Sequence, residues 1–287
     1  MISAVVGTSS FSIAQLGSAW DPAPLVLAGA LVVLLRFAQA FVRLRRRGRH
    51  DHAGWERAAL FAGGLALVTL PLVSPLDAAG DDYLLSAHML QHVLVGDAGP
   101  ALLLVAVRGP LLSFMLPVFL VRTVLRCRPL HRLFGAVTRP WVSLTAWAAA
   151  IAAWHIPAVY DYALGHQRVH DLEHLSFLTV GLLAWTVLVD PMRRRRLSPG
   201  QRMAFAGALF LAGQLLADVL FFASGPLYAT YAAQPARLFG ISAASDQQFA
   251  SLVMMGEQLV TLGAFALVLL AASVRRLERP PARVVPA

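Results

Sequence analysis

Two histidine pairs stand at i, i+4 spacing, His88 and His92 in SAHMLQH and His170 and His174 in RVHDLEH. Residues four apart share one face of a helix, with roughly 6 Å between side-chain origins, so the two imidazoles of a pair can converge on one ion. Two helices presenting such faces make a four-nitrogen site. Neutral imidazole suits copper, zinc, iron or nickel, and the Irving–Williams order places copper at the head of these. A fifth histidine, His155 in WHIP, is a further candidate ligand. The competing reading is a polar seam that packs two helices together through hydrogen bonds and needs no ion.

Each pair opens a long apolar segment. The chain has 287 residues, of which 58% are hydrophobic and only 14% charged, the balance of a polytopic membrane protein and not of a soluble domain. An ionisable side chain left unpaired in hydrocarbon costs roughly 3 kcal/mol on insertion scales, so histidines inside such segments point to a site. Crossing about 30 Å of hydrocarbon takes about 20 apolar residues. Seven stretches qualify, near 24–43, 55–74, 83–107, 140–161, 168–190, 201–223 and 247–273. The apolar stretch 109–121 is too short to cross and is broken by Pro110 and Pro117; with its basic continuation it is expected to lie along the interface over about 109–125.

All 24 basic residues are arginines, clustered in runs such as 43–49, 193–196 and 275–276. Each run abuts the end of an apolar stretch, which marks cytoplasmic loops and not a nucleic-acid surface. The loops after spans one, three, five and seven are therefore expected inside, whereas SPLDAAGDDY and the loop 223–246 are expected outside. The expected fold is an all-α polytopic membrane protein with seven transmembrane helices, its N-terminus outside and its C-terminus inside. Residues 1–23 read as an extracytoplasmic arm, 24–273 as the membrane domain and 274–287 as a cytoplasmic tail. The first twenty residues lack the basic start of a cleavable signal. A single cysteine, Cys127, excludes an internal disulfide and any multi-cysteine metal site.

This orientation sets all five histidines in one outer layer, at depths of roughly 3 to 14 Å for a rise of about 1.5 Å per residue. Other groups in that layer are Asp161, Asp171, Glu173, Asp218, Asp246, Met254, Met255 and Glu257. Carboxylates there can fix a histidine tautomer, and thioethers would soften a site toward cuprous ion. Of these, Asp246, Met254, Met255, Asp218 and Glu257 are the candidates for additional ligands or for support of the histidines. Gln91 is expected on another face, as a helix–helix hydrogen bond. Asp97 lies mid-span in VGDAGP, where glycines and Pro100 loosen the helix, and could relay protons or bond across the break.

HMLQH followed by that glycine and proline break, then WHIPAVYDYAL, then HDLEH, then SDQQ at the head of the last span, resemble in order the multi-pass CtaG family of bacterial cytochrome c oxidase assembly factors. The resemblance runs from about residue 55 to 272. It implies a multi-pass protein of the bacterial inner membrane that matures a haem–copper oxidase by handling copper, with zinc as the alternative metal. The matching residues are His88, His92, His155, His170, His174 and Asp246. Implied partners are oxidase subunits, the lipid bilayer and a soluble extracytoplasmic copper donor; nucleic acid is not one. Where the family usually has a glycine and a tryptophan after DQQ, this chain has Ser251 and Met255.

The expected role is metal exchange without catalysis. Two rivals use the same histidines. A zinc-dependent intramembrane hydrolase would need a carboxylate base, Asp218 or Asp246, beside a metal-bound water. A haem-binding electron carrier would use histidines from facing spans as axial ligands.

Overall fold

A computed structural model of the chain describes residues 17–192, 197–235 and 237–278. The arginine run 193–196, most of the expected N-terminal arm and the end of the expected tail lie outside the described residues. Among the described residues all regular structure is helical. Helix α1 is Pro24–Arg46, α2 Trp55–Thr69, α3 Pro75–Asp82 and α4 Leu85–Val93. A π-helical turn, Leu94–Ala98, joins α4 to α5, Gly99–Ala106. Three short helices follow, α6 Pro110–Met115, α7 Val118–Arg126 and α8 Arg128–Val137. Then come α9 Pro140–Trp154, α10 Pro157–Leu164, α11 Gln167–Val189, α12 Pro199–Phe222, α13 Ala229–Ala233 and α14 Ala243–Leu277.

Five helices are long and apolar enough to cross a bilayer: α1, the continuous Leu85–Ala106 rod, α11, α12 and α14. The count reaches seven when each of two bent pairs is taken as one span. The first bends by 48° between Leu72 and Pro75, the second by 74° between Trp154 and Pro157. Proline explains both breaks, because Pro71, Pro75 and Pro157 each lack the N–H that would continue the helical ladder. The outward faces fit lipid: Leu31, Leu35, Leu211, Leu215, Val260 and Leu267 are all more than half exposed.

Two buried clusters fill the interior. One gathers Phe37, Phe61, Leu104, Trp147, Trp185, Leu188 and Phe205 toward the arginine-rich ends. The other, at the histidine end, holds Leu85, Met89, Tyr160, Leu220, Tyr228, Tyr231 and Met254.

What sets the histidine helices against each other is a glycine contact. A Cβ added at Gly181 of α11 would lie 1.8 Å from the Gly96 carbonyl oxygen in the π turn, an impossible approach for any larger residue. Gly96 follows His92 by four residues and Gly181 follows His174 by seven, so each glycine continues its own histidine face. Close backbone approach through small residues is the usual way apolar helices associate in lipid. Here it draws both histidine faces into contact.

The start of α4 is held by the last helix. Leu85 N donates to Asp246 Oδ2 at 2.6 Å and Ser86 N to Asp246 Oδ1 at 3.2 Å. A carboxylate at a helix N-terminus satisfies donors that have no intrahelical partner and complements the helix dipole. Gln91 ties the same helix to the first bend, donating to the Pro71 carbonyl at 3.1 Å and to Asp77.

Candidate metal centre

His88 and His92 lie on α4, and His170 and His174 on the first two turns of α11. One ring nitrogen from each of the four lies within 4.8 Å of the other three. The rings are 0%, 5%, 3% and 8% exposed, so water does not satisfy them from outside. Their centroids are 4.2 Å apart in the first pair and 4.3 Å in the second, with His92 and His174 at 5.1 Å across the helix contact.

One hydrogen-bond chain assigns a ring proton in this cluster. The Tyr231 hydroxyl donates to the Gly80 carbonyl at 2.7 Å, so toward His88 it can only accept. His88 Nδ1, 2.8 Å from that hydroxyl, is therefore the protonated nitrogen, and Nε2 carries a lone pair. His170 Nδ1 faces the Asp81 carboxylate at 3.5 Å, a contact that favours a proton on Nδ1 and a free Nε2. These two Nε2 atoms face each other at 3.2 Å. Without an ion, His170 Nε2–H can donate to His88 Nε2 at that distance; with the His170 proton on Nδ1, both Nε2 lone pairs are free for one cation. A tetrahedral ion with metal–nitrogen bonds of about 2.0 Å sets its ligand atoms about 3.3 Å apart.

The other two rings carry a deficit. Among the described residues, both nitrogens of His92 and Nε2 of His174 are buried without a hydrogen-bond partner. Leaving a buried polar atom unsatisfied costs about 1–3 kcal/mol, so three such atoms in one cluster are suited to take a ligand. Two carboxylates border the rings. Glu173, 1% exposed, places Oε1 3.7 Å from His92 Nε2. Asp81 faces His170 Nδ1 and lies 4.0 Å from His88 Nδ1. Carboxylates so placed favour the tautomer that leaves the other nitrogen free for metal.

The fifth histidine stands apart from this group. His155 caps the end of α9 at the second bend, with Nδ1 2.8 Å from the Ile151 carbonyl and Nε2 3.4 Å from Met89 Sδ. The remaining candidates are placed elsewhere. Asp246 caps α4, and Asp218 accepts from Gln214 at 3.0 Å. Met254 and Met255 pack in the tyrosine-lined cluster. Glu257 adjoins Asp97 in the membrane interior, where the Trp185 indole donates to Asp97. Asp161 caps α13, receiving the N–H groups of Ala229 at 3.1 Å and Thr230 at 3.0 Å, and Asp171 accepts from Gln167 at 3.0 Å.

Asp81 and Tyr231 went unread in the sequence. Asp81 offered only its place in the acidic loop SPLDAAGDDY; Tyr231, some 140 residues from His88, offered no local signal at all. The loop that carries Tyr231 is tied down by Gln247, whose Oε1 accepts from Leu227 N at 2.7 Å and whose Nε2 donates to the Leu220 carbonyl at 2.9 Å. The DQQ motif thus builds the walls of the centre: Asp246 fixes the histidine helix and Gln247 fixes the loop over it.

No curated protein and no solved structure is found to match this chain. The family model described as cytochrome c oxidase caa3 assembly factor (Caa3_CtaG) matches residues 35–276, well over half of it. An all-helical membrane-type fold built around buried histidines accords with that match, and the chain belongs to the cytochrome c oxidase caa3 assembly factor family.

Proposed function

We propose that the protein binds copper at the four-histidine centre and delivers it to a haem–copper cytochrome c oxidase during assembly. The observation that carries this reading is the convergence of four buried imidazoles from two spans, with ligand atoms within 4.8 Å of one another. Four imidazoles suit copper ahead of other divalent ions, zinc being the alternative. Membership of an oxidase assembly family supplies the client class.

The arginine-rich ends of the helices lie in the cytoplasm and the centre in the outer leaflet of the bacterial inner membrane, with seven spans, the N-terminus outside and the C-terminus inside. Exchange then takes place at the extracytoplasmic face, with a soluble copper donor on one side and an oxidase subunit on the other. Asp81 marks the way in: its side chain is 26% exposed, while the four rings are at most 8%. An incoming ligand that displaces the Tyr231 hydroxyl releases the tautomer lock on His88, one that displaces Asp81 removes the carboxylate beside His170, and the cage loosens. The reading is one of transfer, with no bond made or broken other than those to the ion.

The rival chemistries fit the geometry less well. Asp218 and Asp246, the carboxylates a hydrolase would place at a metal-bound water, are engaged with Gln214 and with the start of α4. The His88 and His170 Nε2 atoms face each other across the two spans at 3.2 Å, closer than two axial ligands on opposite faces of one macrocycle stand.

The test is made in a strain lacking this protein. Complementation with the wild-type gene should restore copper and activity to the client oxidase. The His88→Ala, His174→Ala variant, present in the membrane at equal level, should not. Full restoration by the variant would overturn the proposal.

A further inference from the structure

Helix α4 carries a second kind of donor beside its histidines. Met89 follows His88, about 100° further round the helix, and so faces away from the four-ring centre toward the second bend. Its side chain is 1% exposed, and its sulfur lies 3.4 Å from Nε2 of His155, itself 8% exposed. The Ile151 carbonyl 2.8 Å from His155 Nδ1 can only accept, so the proton of the neutral ring is on Nδ1 and Nε2 presents a lone pair. A thioether has no hydrogen to give. The contact is therefore between two donor atoms, both buried and neither satisfied by the other.

We infer that Met89 and His155 form a second, softer metal site, for cuprous ion, adjoining the four-imidazole centre. This rests on the copper reading above and deepens it. Bonds of about 2.0 Å to nitrogen and about 2.3 Å to sulfur, meeting at a little over 100°, span 3.4 Å between the ligand atoms, as found here. Two ligands at that angle leave coordination positions open for a third, as a handover site requires. Thioether sulfur selects monovalent copper over zinc and over divalent copper. The surroundings act in the same direction, since a single charge is less costly to desolvate than a double one.

The two sites share walls. Tyr160 has its ring centroid 5.3 Å from that of His88 and 6.4 Å from that of His155. Phe177 lies 4.7 Å from His92 and 6.3 Å from His155. The Tyr228 hydroxyl donates to the His155 carbonyl at 3.3 Å, tying the outer loop to the bend where this site sits. A cuprous ion can thus pass between the imidazole cage and the softer pair without entering lipid or water, and with no change of oxidation state.

Full-length protein labelled with selenomethionine is loaded with Cu(I) under reducing, anaerobic conditions and its copper-edge X-ray absorption recorded; a zinc-loaded sample is recorded at the zinc edge. The expected result is a metal–selenium contribution for Cu(I), none for zinc, and loss of that contribution in Met89→Leu, a substitution that conserves volume. Zinc binding by Met89→Leu should match wild type, showing the four-ring centre intact. Cu(I) with nitrogen neighbours alone would overturn this site while leaving the copper reading standing, as would a selenium contribution that survives Met89→Leu or zinc binding lost with the sulfur. Wild-type protein that binds no copper would overturn both.

Discussion

Replacing His88 and His174 together by alanine should strip the purified protein of firmly held metal. One ring is removed from each pair, so each helix keeps a single imidazole and no tetrahedral set remains. Removing an outer partner of a metal ligand typically lowers affinity by about 10–100-fold. Deleting two ligands should exceed that range, leaving no stoichiometric copper or zinc by elemental analysis of detergent-extracted protein. The matching control is His50→Ala, His131→Ala, which removes two histidines distant from the centre and should retain wild-type metal. Equal metal in both double variants would place the ion elsewhere.

The second large effect is expected far from any ligand atom. Gly181→Ala adds one methyl group, but 1.8 Å from a backbone oxygen of the facing helix, which no side-chain rotation can relieve. Overpacking of this kind costs about 1–3 kcal/mol, and a clash with backbone should fall at or above the upper end. The helices must part, and the two histidine faces part with them. The variant should show both a lowered unfolding temperature in detergent and reduced metal content. Gly207→Ala is the contrast: it stands in α12 with nothing within 4 Å of an added Cβ. Alanine there should be neutral, or stabilising by up to about 1 kcal/mol through its helix preference. Wild-type stability and metal in Gly181→Ala would show that the glycine contact does not position the centre.

How far the site was legible from the residues follows from the range of the forces that build it. The i, i+4 pairs were readable because helix periodicity is local, and their shared depth followed from the arginine pattern. That the four rings meet depends on Gly96 against Gly181, a contact between segments that no local pattern connects. Asp246 was expected near the metal and instead holds the N–H groups of Leu85 and Ser86, some 160 residues away. A carboxylate at the head of one span looks the same in sequence whether it faces an ion or a helix end. Glu257 was placed with the outer layer, but the length of α14 carries it down beside Asp97. The spans over 55–74 and 140–161 were read as continuous, whereas Pro71, Pro75 and Pro157 break the helices there. The prolines were visible; the bend that sets His155 apart from the other rings depends on the neighbours against which it folds. Asp81 and Tyr231 carried no metal-ligand spacing and are recognised only through the histidines they hold.

The central claim is that imidazoles from two separate spans surround one ion. Pulsed electron paramagnetic resonance of the Cu(II)-loaded protein counts coordinated imidazoles through their remote nitrogens. The account predicts four in the wild type, four in Asp246→Asn, and loss of the imidazole-coupled signal in the His88→Ala, His92→Ala variant, which, like the other double variant, keeps no four-ligand set. A signal without imidazole coupling, or one that the loss of both α4 histidines leaves unchanged, would contradict it.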